Sequence, residues 1–321
     1  MTSPTLLCIG AQKSGTTWLY RALEQQAGVG PNIWVPPVKE LHFWDEKVHH
    51  RVGWSTHLHQ DEPVSLRWKR QLRQERQRRH RRDSRGHIDG PSELARKQWC
   101  GSYFFTTPTV EWYQGLFEGH QHSIDVTPDY AVIPAEGIDR VVQAMPEIKV
   151  IYLLRHPVER EWSAAQMAVR GAGRSEEIAL RMNRRHAHYY RNIVRWQRRL
   201  LDGHLYVGFF EDIALRPAQL LQSILDFAGC PTHDRNSLQL PAGKPNAGNV
   251  ESIPARFASG IARDLVEDSE QLAKLLGGPA NTWLQSVRGL AQLDPGSDDL
   301  VYPFPMGRDI QQQESVSSVI L

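Results

Sequence analysis

A chain of 321 residues is long enough to bury a large core, and with no Pro/Gly/Ser-rich linker dividing it, one domain with insertions is expected. The formal net charge of +2 hides a local excess: nine Lys or Arg against one acid, Glu75, put +8 into residues 67–82 and leave −6 elsewhere. Three cysteines without paired spacing, Cys8, Cys100 and Cys230, argue against a disulfide framework, no apolar run reaches membrane-span length, and a strand starting almost at Met1 leaves no room for a signal peptide, so a cytoplasmic protein is expected.

The first element is TLLCIGAQKSGTTWLYRALE, Thr5 to Glu24. Leu6, Leu7, Cys8 and Ile9 read as a buried strand, and Trp18, Leu19, Ala22 and Leu23 recur at helical spacing beyond a glycine loop. A strand feeding a helix through such a loop is a phosphate site. Gly10 and Gly15 allow the tight turn, the amides of Gly15, Thr16 and Thr17 point out of the helix start, and Lys13 adds a positive charge. A Walker A loop has its lysine directly after the second glycine, followed by a magnesium-binding hydroxyl; here Lys13 precedes Gly15 by two residues and Thr16 takes the Walker lysine's place, which disfavours a metal-dependent NTPase.

KSGTTW resembles instead the loop that binds the 5′-phosphosulfate in sulfotransferases using 3′-phosphoadenosine 5′-phosphosulfate (PAPS). The resemblance assigns Lys13, Ser14, Gly15, Thr16 and Thr17 to the donor, and places Trp18 near its adenine, although the spacing of Trp18 also fits the core. The plainer alternative is a turn that only closes a βα unit.

After a short extended piece at Ile33 to Val35 comes PPVKELHFWDE, where Lys39, Glu40, His42 and Asp45 sit among apolar residues. Sulfuryl transfer to a hydroxyl needs a base for the hydroxyl proton, and a carboxylate beside a lysine can serve. KELHFWD resembles the KExHFFD-type segment of the heparan-sulfate branch of sulfotransferases and their bacterial relatives, which makes Glu40 the implied general base. A surface ion pair of Lys39 with Glu40 is the bland alternative, and His42, titrating near neutral pH, is the rival base.

Residues 46–101 match no family pattern; they form a variable basic and aromatic insertion, expected on the acceptor side. The run RWKRQLRQERQRRHRR lacks an apolar stripe and reads first as a solvated insertion, with capture of an acidic acceptor, nucleic acid or an anionic surface as alternatives. Six of the ten tryptophans fall between residues 34 and 112, as walls for a flat acceptor or as core. EWYQGLF resembles a WYxxLF helix of the bacterial relatives, and HSIDVTPDY resembles the family's EKTPxY segment, with a strand from His122 to Val126. Here Asp125 and Val126 replace the family's glutamate and lysine.

A helix from Pro134 to Met145 leads into Lys149–Leu154, apolar throughout like a parallel strand covered on both faces. Arg155 emerges at its C-terminal end, where open α/β sheets bind ligands, and Ser163 follows two turns into the next helix. The RxPxxRxxS spacing resembles the family's 3′-phosphate segment and assigns Arg155 and Ser163 to that phosphate; the alternative for Arg155 is an ion pair with Glu159. One long basic helical region is expected over Ser175 to Leu201, then a strand in LYVGFFED and a helix from Arg216 to Ala228. The polar loop LPAGKPNAGNVESIPARF could wrap an anion through Lys244 and Asn246 or Asn249. Helices from Ile253 to Gly277, then Trp283, resemble the C-terminal end of bacterial sulfotransferases, and beyond residue 290 an irregular tail is expected.

The resemblance spans residues 5–45 and 111–283 and implies one α/β domain over residues 1–290, a central parallel sheet flanked by helices like that of P-loop kinases. It further implies PAPS as donor, PAP as product, no metal, and a hydroxyl acceptor on a small molecule, carbohydrate or lipid. Rivals are an ATP-dependent small-molecule kinase and a nucleic-acid or anionic-surface binder acting through residues 67–82. Nucleic acid is the less expected partner because the basicity is local. Acceptor identity and oligomeric state are not legible.

Overall fold

The computed structural model describes residues 3–26, 33–46, 93–173, 175–182, 184–230, 238–241, 252–303 and 318–321. The basic run 67–82 and the candidates Lys244, Asn246 and Asn249 lie outside them. Four parallel strands, β1 (Leu6–Gly10), β2 (Ile124–Val126), β3 (Lys149–Leu154) and β4 (Leu205–Phe209), stand in the order β2-β1-β3-β4. Strands β1, β3 and β4 alternate between two cores. Leu7, Ile9, Val150, Tyr152, Leu205 and Val207 enter one, while Leu6, Cys8, Ile151, Leu153 and Tyr206 enter the other, so both sheet faces are covered and the strands read as unbroken apolar runs.

Helix α1 (Thr16–Gln25) follows β1; α2 (Glu93–Phe105) and α3 (Val110–Gly115) precede β2; α4 (Ala135–Ala144) leads to β3. Beyond β3 come α5 (Pro157–Ala172), α6 (Glu176–Met182) and α7 (Tyr189–Gln197), and beyond β4 come α8 (Glu211–Leu215) and α9 (Pro217–Phe227). The long helix expected over 175–201 is broken by a short 3-10 segment at Arg184–Ala187. It restarts where the buried Asp268 carboxylate accepts the Tyr190 and Arg191 amides at 3.0 and 3.2 Å, a cap supplied from a distant helix. That helix is α10 (Ala255–Leu276), which packs with α11 (Pro279–Ala291) and α5 around a third core containing Trp162, Phe257 and Val287.

The irregular tail expected beyond residue 290 needs correction. After β5 (Ile253–Pro254) and β6 (Leu300–Val301) pair with each other, β7 (Ser318–Ile320) returns to the main sheet and runs antiparallel to β4, Tyr206 opposite Ile320. The sheet is therefore mixed, mainly parallel. Pairing satisfies the outer edge of β4, which would otherwise expose a row of backbone donors and acceptors.

Candidate active site

The strand order turns back at β1, which has β2 on one side and β3 on the other, and this is where open α/β sheets form a ligand crevice at the strands' carboxyl ends. From β1 the chain enters the Lys13 turn. Gly15 caps α1 at φ 92°, and the first donor of the helix ladder is Leu19, bonded to the Gly15 carbonyl at 3.0 Å, so the amides of Thr16, Thr17 and Trp18 lie before the ladder begins. A Cβ on Gly15 would stand 2.2 Å from Ile213 Cδ1 and 3.2 Å from the Phe210 ring, so only glycine lets α8 press this close. Lys13 itself takes φ 71° at the head of the turn.

From β3 the chain delivers Arg155. Its guanidinium donates to Glu159 Oε2 at 3.1 and 3.2 Å and lies over the Phe210 ring, the same ring that flanks Gly15. The Tyr189 hydroxyl donates to the Arg155 carbonyl at 2.9 Å and stands beside the Ser14 hydroxyl. The Lys13 turn and Arg155 are thus joined by two aromatic residues. Below them, burial pushes Glu159 up against the pull of Arg155, and raises Glu211 to about 8, with Glu159 adding to the rise and a hydrogen bond from the Trp283 indole opposing it.

From the edge of β2 comes the third group. The Glu40 amide bonds to the Val126 carbonyl at 3.2 Å, and the segment is pinned further by Tyr20 on the Pro36 carbonyl, Tyr103 on the Leu41 carbonyl and Tyr130 on the Phe43 amide. Glu40 and His42 are both held at positive φ, 64° and 58°, the kind of backbone strain that surrounding structure must enforce. Lys39 Nζ donates to Glu40 Oε1, and His42 Nε2 stands 3.7 Å from Glu40 Oε2. On the other side of the ring, Nδ1 meets Asp45 Oδ2 at 2.7 Å. Burial alone would raise Glu40, but the neighbouring His42 and the Lys39 ammonium outweigh it and hold the carboxyl at about 2.

A model of the sulfotransferase family matches residues 4–234. The chain belongs to the sulfotransferase family. Curated protein sequences give no match. Among solved structures, a sulfotransferase from Alicyclobacillus acidocaldarius is similar over 88% of this chain and 99% of its own, at 19% identity and a TM-score of 0.57. The sulfotransferase domain from the curacin biosynthetic pathway is similar over 77% and 81%, at 19% identity and a TM-score of 0.49. A mouse sulfotransferase solved with PAP is similar over 88% of each chain at 11% identity and a TM-score of 0.46.

In this sulfotransferase, Lys13 and Arg155 follow β1 and β3, and the Lys39, Glu40 and His42 group is docked at the carboxyl end of β2, the neighbour of β1. Ser163 lies half-buried on α5. Trp18 is 2% exposed and packs with Leu6, Cys8 and Ile124, as its helical spacing allows. The ion pair of Arg155 with Glu159, the bland reading of the sequence, is formed. Val126, where the family has lysine, is buried in the core, and Asp125 accepts Tyr113, Thr127 and Tyr130 hydroxyls from inside the fold. Trp34, Trp44, Trp99 and Trp112 join one aromatic cluster of the core; Trp54 and Trp68 lie outside the described residues. Sequence reasoning missed Phe210 and Tyr189, whose places come from contacts across the chain.

Proposed function

We propose that this sulfotransferase uses PAPS as donor and a hydroxyl on a small molecule, carbohydrate or lipid as acceptor. One observation carries the reading: the turn of Lys13 and the guanidinium of Arg155 flank a single ring, Phe210, on two adjacent strand ends, as a ligand phosphorylated at two ends requires. Arg155 and Ser163 would take the 3′-phosphate; the Lys13 ammonium and the amides of Thr16 and Thr17 would take the 5′ end. Bound there, PAPS supplies the sulfuryl group and a leaving phosphate. Lys13 would meet the negative charge that grows on that phosphate.

Glu40, ionised at neutral pH beside the Lys39 ammonium, takes the hydroxyl proton. The proton passes to His42 Nε2, and Asp45 on Nδ1 fixes the ring and stabilises the imidazolium, so Glu40 and His42 act as one base rather than as rivals. Lys39 orients Glu40 through Oε1. The scheme requires no metal. Buried thiols at Cys8, Cys100 and Cys230 suit a reducing cytoplasm, and no helix among the described residues is long and apolar enough to cross a membrane.

Thermal-shift measurements with PAP, AMP, and ATP with magnesium test the donor. PAP should stabilise the protein without metal and more than AMP does. A larger effect from ATP with magnesium would replace the sulfotransfer scheme with a kinase.

A further inference from the structure

His42 faces more negative charge than the KELHFWD motif supplies. Asp129, from the 3-10 turn after β2, places Oδ2 at 3.8 Å from His42 Nδ1, and its other oxygen, Oδ1, at 3.4 Å from His186 Nε2 on the 184–187 turn. His42 and His186 are both buried, 7% exposed, so the charge on Asp129 is poorly screened between them. Among the described residues, the groups facing His42 are Glu40, with Lys39 behind it, on the Nε2 side; Asp45 and Asp129 on the Nδ1 side; and Asp125 more distantly from β2; His186 faces Asp129.

We infer that Asp129 and His186 are positioning residues of the base: Asp129 divides its charge between two imidazoles, and the protonation of His186 sets how much of that charge His42 feels. This rests on the Glu40 and His42 base proposed above. With His186 neutral, Asp129 and Asp45 together favour the imidazolium that forms as Glu40 hands on the acceptor proton: the proton leaves Glu40 Oε2 for the lone pair of His42 Nε2, and no other bond changes. With His186 protonated, Asp129 is engaged on its far side and His42 becomes the weaker acceptor. The segment that aligns with EKTPxY thus contributes to the reaction through its aspartate, at a position the motif leaves open.

The test is a nuclear magnetic resonance titration of histidine-labelled protein, with the His42 signal assigned by its loss in His42→Gln. Asp129→Asn should lower the His42 midpoint by about one pH unit, the scale of removing one nearby opposite charge. His186→Gln should raise it. An opposite or absent shift in Asp129→Asn overturns the inference; if that variant fails to fold, an absent rise in His186→Gln does so. In parallel, PAPS hydrolysis, with water as acceptor, should show the acidic limb of its pH profile moving with the His42 midpoint in each variant. A midpoint that moves while the limb stays fixed removes the catalytic role. The base itself is checked separately: if Glu40→Gln hydrolyses PAPS at the parent rate, the underlying reading fails whatever the titrations show.

Discussion

The guanidinium of Arg155 lies 4.7 Å from the centre of the Phe210 ring, while its own Nε and one terminal nitrogen are taken by Glu159. Phe210 follows β4 directly, with its amide on the Leu154 carbonyl at 2.7 Å, so the ring is fixed to the end of the strand that delivers Arg155. A cation seated on a ring and held by one carboxylate keeps a fixed direction while its remaining donors can turn to a phosphate.

Arg155→Ala should therefore act in two separable ways. It leaves the buried Glu159 carboxylate without its cation, at a cost of up to about 3 kcal/mol in stability. It should also erase the preference for PAP over AMP, on the order of tenfold to a hundredfold, the worth of one or two charge-assisted hydrogen bonds. The double variant Arg155→Ala/Glu159→Gln should recover stability without recovering the preference. Calorimetric titration with both nucleotides decides it, and a preference that survives in the double variant would remove the 3′-phosphate assignment.

Gly15→Ala should lose PAP binding. The residue would have to hold φ 92°, at a cost of about 1–2 kcal/mol, with its methyl 2.2 Å from Ile213 Cδ1. Ile213→Ala in the same chain should relieve the contact but not the backbone cost, so PAP affinity should return only in part. Full affinity in Gly15→Ala alone would show that the turn does not cradle the ligand.

What was legible in the sequence was local. The strand at Lys149–Leu154 and the loop before α1 follow from apolar runs and glycine placement over a few residues, and the structure forms both. Arg155 stood out in the sequence because the end of a strand is a predictable place for a ligand group. The break before Tyr189 was not, because its cause, the carboxylate of Asp268, lies 78 residues away from Tyr190. The same limit hid β7, whose pairing with β4 gives no periodic signal over so short a segment, and Asp129, which looks like an ordinary turn aspartate until the folded chain brings His42 and His186 to it. The core packing of Trp18, by contrast, was legible in its helical spacing with Leu19, Ala22 and Leu23.

Glu40→Gln should lower sulfuryl transfer by about 10²–10⁴-fold with PAP affinity retained, the usual contribution of a positioned base. The same change should show in acid stability. The carboxyl drops from 4.5 to about 2 on folding, so the folded protein holds fewer protons than the unfolded chain between those values. Its stabilising contribution is complete above about 4.5 and is lost as pH falls through about 2. Melting curves across that window should fall less steeply for Glu40→Gln than for the parent. Parallel curves would mean that Lys39 and His42 do not hold the carboxylate as their geometry indicates.

Glu211 carries the opposite sign. Burial is the main cause of its rise from 4.5 to about 8; its own amide, the Arg155 charge and the Trp283 indole oppose the rise, and Glu159 adds to it. Between those values the folded protein keeps a proton that the unfolded chain releases, so stability declines as pH rises, by at most about 1.4 kcal/mol per pH unit, and levels off above about 8. Glu211→Gln should remove that decline from the melting curves. The group also bears on the ligand, because Arg155 acts on it electrostatically. Below about 8 a neutral Glu211 leaves Arg155 facing only Glu159; above it a second carboxylate shares the guanidinium and opposes an incoming phosphate. PAP affinity measured from pH 7 to pH 9 should fall in the parent and stay flat in Glu211→Gln. A parent affinity that does not change across this range would place Glu211 outside the field of the phosphate and leave it a structural partner of Trp283.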